Sequence, residues 1–97
     1  MFLEVDLGTE GSAVWQKKID QYLSLAVSGE FERTFGHPRF GVMVVSTSEK
    51  RLSALRGYIR KATQKIFYLT TLEKINAHGF YSPIWLRPDG EQTQSLT

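Results

Sequence analysis

Apolar positions along the chain fall into alternating extended and helical runs. Residues 2–7 alternate in part: Phe2, Leu3, Val5 and Leu7 are apolar, while Glu4 and Asp6 project to one side of an extended strand. Gly8-Thr9-Glu10-Gly11-Ser12 is turn-like, with Thr9 or Ser12 available as a helix cap. From residue 13 to about 27 the period becomes helical. Trp15, Ile19, Tyr22, Leu23 and Ala26 follow at i, i+4, i+7, i+8 and i+11, and Val14 and Leu25 widen the stripe to about half the circumference, the width that packs on a sheet. Gly29 is a reasonable stop, residues 31–35 suit a short extra turn, and Gly36-His37-Pro38 breaks the chain.

Residues 40–46 (FGVMVVS) are nearly all apolar, short and rich in β-formers, which predicts a strand buried on both faces, as in a parallel sheet. Ser46, Thr47 and Ser48 offer N-caps to a second amphipathic helix over residues 49–64, with Leu52, Leu55, Ile59 and Ala62 as its apolar stripe. Residues 66–70 form a third apolar run, and Thr71 can cap a short helix through residue 76 that ends at His78-Gly79. Residues 84–86 (Ile-Trp-Leu) suit a last short strand, and residues 88–97 read as a frayed polar tail. The expected architecture is an α/β domain over residues 1–87, in the order β-α-β-α-β-α-(β). Three or four strands form a mostly parallel sheet flanked by helices. A strand of this kind at the very start of the chain implies an open edge, covered either by a missing N-terminal region or by a second copy in a homodimer.

Composition narrows the function classes. The 97 residues suffice for one small domain, and 41% hydrophobic content argues against wholesale disorder. There is no cysteine, so disulfide and thiol chemistry are excluded, and His37 and His78 alone cannot make a structural zinc site. No apolar run reaches the roughly 18–20 residues that span a bilayer, and acid at positions 4 and 6 replaces the basic start of a signal peptide. The expectation is a cytoplasmic protein with no membrane partner. Net charge is only +2, so the placement of charge carries more than its sum.

Two constellations stand out. Glu4 and Asp6, two apart on a strand, could bind Mg²⁺ or Mn²⁺, or simply show acid to solvent at an edge. Lys18, beside the helical stripe, could bend toward that strand and pair with either acid, or cover apolar surface with its stem. The second constellation is cationic: Lys50, Arg51, Arg56, Arg60, Lys61 and Lys65 face Glu49 as the single acid in the segment, and oppose the apolar stripe. A single-signed face of this kind attracts phosphate backbones. Trp15, Trp85, Tyr68 and Tyr81 suit a core better than a base-stacking platform, and no triad or phosphate-cradling glycine loop is present.

Phe2-Leu3-Glu4-Val5-Asp6-Leu7-Gly8-Thr9-Glu10, then Lys18-Ile19 and Tyr22, then residues 40–46 and Arg51-Leu52, together resemble the C-terminal half of the bacterial replication-relaxation family of plasmids and mobile elements. The resemblance covers roughly residues 2–70 and centres on the Glu-x-Asp-x-Gly-Thr strand-turn. It implies a truncated restriction-endonuclease-like core, normally preceded by a winged-helix-like DNA-binding region. A nuclease of that class needs an upstream Asp and then (Asp/Glu)-x-Lys. This strand has Asp6 where the lysine belongs, and the upstream Asp has no counterpart within these 97 residues.

The resulting expectation is a non-catalytic DNA-associated module of a mobile element, acting in replication or its control. It would bind phosphates through the basic helix, need no cofactor, and have DNA as partner. One alternative is a metal-dependent nuclease or its remnant using Glu4, Asp6 and Lys18, with Mg²⁺ or Mn²⁺ on Glu4 and Asp6. The other is a homo-oligomeric assembly module.

Overall fold

The computed structural model describes residues 2–28 and 41–96. The expected extra turn, the break and His37 lie outside the described residues. The elements are β1 (Phe2–Asp6), α1 (Ser12–Ser28), β2 (Val42–Ser46), α2 (Glu49–Arg60), β3 (Phe67–Thr71), α3 (Leu72–His78), β4 (Trp85–Leu86) and β5 (Thr93–Gln94). Among the described residues these strands make one sheet in the order β1-β2-β3-β4-β5.

β1, β2 and β3 are parallel, with Phe2 opposite Val42 and Val42 opposite Phe67. β4 and β5 add on antiparallel, so the sheet is mixed, with one more strand than the sequence pattern suggested. Beyond β3 the chain passes through the seven-residue α3 and re-enters the sheet antiparallel to β3.

Side-chain alternation assigns each strand two faces. Phe2, Glu4 and Asp6 of β1 share a face with Val42 and Val44 of β2 and with Phe67 and Leu69 of β3. α1 and α2 cover that face. Trp15, Ile19, Leu52, Leu55 and Ile59 pack there in one buried cluster with the strand residues, Leu86 included. Both helices therefore lie on one side of the sheet. On the opposite face Val45, Ile84 and Trp85 form a second cluster with Met43, Tyr68, Ile75, Phe80 and Leu96, so α3 and the C-terminal segment cover the β3–β4 end. Leu3 and Val5 of β1 and the following Leu7 stay 54%, 53% and 68% exposed.

Local chemistry explains where α2 and α3 start. The Ser48 hydroxyl accepts the Arg51 backbone N–H at 3.1 Å, and Thr71 accepts that of Lys74 at 3.2 Å. α2 stops at Arg60, before the expected residue 64, which leaves Ala62 exposed and Lys65 in the turn beyond the helix. Ile66 adopts φ +61°, a left-handed conformation costly for a β-branched residue, and β3 therefore begins at Phe67.

Two other expectations change. Tyr81 is 72% exposed rather than in the core, resting edge-on against Phe80. Residues 88–96 are not a frayed tail: Pro88 is buried, Thr93–Gln94 pair with β4, and Leu96 packs on the second cluster.

Candidate functional site

Glu4 and Asp6 face the helices, not solvent. Asp6 is fully buried, and each of its oxygens holds two donors. Oδ1 accepts from Trp15 Nε1 at 3.1 Å and Arg51 Nη2 at 3.0 Å; Oδ2 accepts from Arg51 Nε at 2.6 Å and the Gly8 backbone N–H at 3.2 Å. The bidentate Arg51 bond holds the Asp6 carboxyl below its ordinary value, against the opposing effect of burial. Reciprocally, Asp6 holds the Arg51 guanidinium above its ordinary value.

Glu4 is held by α1. Its Oε1 accepts from the Tyr22 hydroxyl at 2.5 Å, and its Oε2 accepts from Lys18 Nζ at 3.1 Å. Lys18 also donates to Glu10 Oε1 at 2.8 Å, and that bond is the main reason its ammonium is held above the ordinary lysine value. Burial, reinforced by Glu4, raises the Tyr22 phenol. Glu10 joins the two networks, because its backbone carbonyl accepts from Arg51 Nη2. Glu4, Asp6, Glu10, Lys18, Tyr22, Trp15 and Arg51 thus form one connected set at β1.

The sequence pattern placed Lys18 within reach of β1, and it is there. Glu10 and Tyr22 were missed as partners. The signal for Tyr22 lay in its place one helical turn beyond Lys18, on the side that faces Glu4.

The proposed metal ligands need correction. Asp6 has every lone-pair direction committed to protein donors, so it anchors β1 and presents no oxygen to a cation. Glu4 and Lys18 do meet, as the nuclease alternative required, but Asp6 belongs to the Arg51 pair. Among the described residues no group of three or more His, Asp or Glu side chains is placed to hold a metal ion.

The cationic helix also divides. At 100° per residue, Arg51 and Arg56 lie about 70° to either side of the direction set by Leu52, Leu55 and Ile59, at the two borders of the buried face. Both turn inward. Arg51 takes Asp6. Arg56 is only 8% exposed and donates to the carbonyls of Arg87, at 3.1 Å, and Gly90, with Glu91 Oε1 3.4 Å away. Neither is a surface phosphate contact. Lys50 and Lys61 lie directly opposite the buried face, with Arg60 beside them, and all three are exposed, as is Lys65 in the turn. Glu49, the one acid of the segment, pairs with Lys74 at 3.4 Å.

Compared with family models, curated proteins and solved structures, the chain matches none. Among the described residues no helix is long and apolar enough to cross a membrane.

Proposed function

We propose that this chain is a non-catalytic DNA-associated module that contacts phosphates through Lys50, Arg60, Lys61 and Lys65. The observation carrying this reading is charge segregation. Glu4, Asp6 and Glu10 are consumed by Lys18 and Arg51 inside the fold, and Glu49 by Lys74, so the outward side of α2 keeps its cations. Such a face binds backbone phosphates without reading bases. A role in replication or its control on a mobile element rests on the resemblance of residues 2–70 to the replication-relaxation family, as does a restriction-endonuclease-like ancestry of the sheet. The locked Asp6 favours the non-catalytic form over the nuclease.

Fluorescence anisotropy with a labelled duplex tests the reading. Reversing Lys50, Arg60 and Lys61 to glutamate weakens binding by about tenfold or more at low salt, since three phosphate contacts are lost. Equal affinity of this triple variant and the wild type would overturn the reading.

The exposed Leu3, Val5 and Leu7 favour a second reading, homo-oligomeric assembly in which β1 edges of two copies pair. Sedimentation equilibrium tests it: a dimer that Val5→Lys dissociates supports it, and a monomer at high concentration removes it.

A further inference from the structure

Arg56 is a buried guanidinium in a helix whose outward cations are exposed, and its hydrogen-bond partners lie in one short segment. Its Nε donates to the Arg87 carbonyl, its Nη2 to the Gly90 carbonyl, and its Nη1 lies 3.4 Å from Glu91 Oε1. The same segment returns to the sheet through the two-residue pairing of β5 with β4, Trp85 opposite Gln94 and Leu86 opposite Thr93. Asp89, Gly90, Glu91, Gln92, Thr93 and Gln94 are all exposed, and the turn depends on Gly90 at φ +83°. On α2, Arg56 lies one turn before Arg60 and on the same side, so it borders the outward cationic face.

We propose that residues 87–94 act as a strap that withholds Arg56 from the phosphate-contacting face, and that release of the strap adds Arg56 to that face and tightens binding to a polyanion. This rests on the phosphate-binding reading of α2. The strap supplies two carbonyls and a carboxylate that compete with phosphate oxygens for one guanidinium. Arg87 over the Tyr68 ring and the buried Pro88 anchor its start, whereas Asp89 to Gln94 are exposed, so opening of that stretch is a local event and not global unfolding. A polyanion favours the open state because only that state offers it Arg56, and this differential contact shifts the population.

The test uses the full chain and a labelled DNA duplex. Gly90→Val strains the turn, because valine disfavours the positive φ, and leaves every charge in place. It tightens duplex binding by about three- to tenfold and steepens the dependence of log K on log salt by about 0.9, the value of one more phosphate contact. Adding Arg56→Gln to Gly90→Val abolishes both gains. Hydrogen exchange on the wild type is independent of any variant's folding: saturating duplex speeds exchange at the β5 amides, while those of β2 stay protected.

Unchanged affinity and slope in Gly90→Val, or β5 amides that slow on binding, would overturn the strap. The Lys50, Arg60 and Lys61 reversal serves as the control. If it weakens binding while Gly90→Val has no effect, the strap alone fails. If it too has no effect, the phosphate-binding reading fails and the strap with it.

Discussion

Asp6 shows how one side chain can decide between two chemistries. A carboxylate at the end of a parallel strand is well placed for a metal, yet here four protein donors fill its two oxygens. Removing its charge leaves Arg51 without its partner beside a closed core. Asp6→Asn therefore costs about 3–5 kcal/mol, as breaking buried ion pairs does, measurable by urea denaturation.

The pH dependence follows from the same contacts. The Asp6 carboxyl is held below its ordinary 3.8 by Arg51, so its contribution to stability is present above that value and is lost as pH falls through the lower folded value. The acid-side slope shrinks in Asp6→Asn. Lys18 behaves oppositely. Its ammonium is held above 10.5, chiefly by Glu10, so its contribution is complete below 10.5 and is lost as pH rises past the folded value. The spacing of two made it legible that Glu4 and Asp6 share a face. Which face was not, because alternation fixes sides relative to each other and only packing decides which side meets the helices.

At the scale of elements, α2 carries three functions around its circumference: an apolar strip, two inward arginines at its borders, and an outward cationic face. The sequence revealed the strip and the surplus of cations. It could not separate Arg51 and Arg56 from Arg60 and Lys61, because the partners lie 45 residues upstream at Asp6 and 31–35 residues downstream at Arg87 and Glu91. β1 is divided in the same way. On its inward side Asp6 accepts from the fully buried Trp15, whose truncation to alanine costs about 3–5 kcal/mol. Its outward Leu3 and Val5 are half exposed, and Val5→Thr changes stability by less than about 0.5 kcal/mol in the same denaturation experiment. Strand β5 and the mixed sheet were not foreseen, since Thr93 and Gln94 lie in a polar stretch with no apolar alternation. They pair with β4, just after the Arg87 and Gly90 carbonyls that Arg56 holds.

Across the whole molecule, a formal charge of +2 conceals a separation of sign. The acids of β1 and the turn after it are satisfied within the fold, and the cations of α2 that remain are turned to solvent. The most direct measurement of this separation is the slope of log K against log salt for the wild-type chain on a random-sequence duplex. Four outward cations predict a slope of roughly −3 to −4, falling toward −1 when Lys50, Arg60 and Lys61 are reversed to glutamate. A wild-type slope near zero, or one that the reversal leaves in place, would contradict the account.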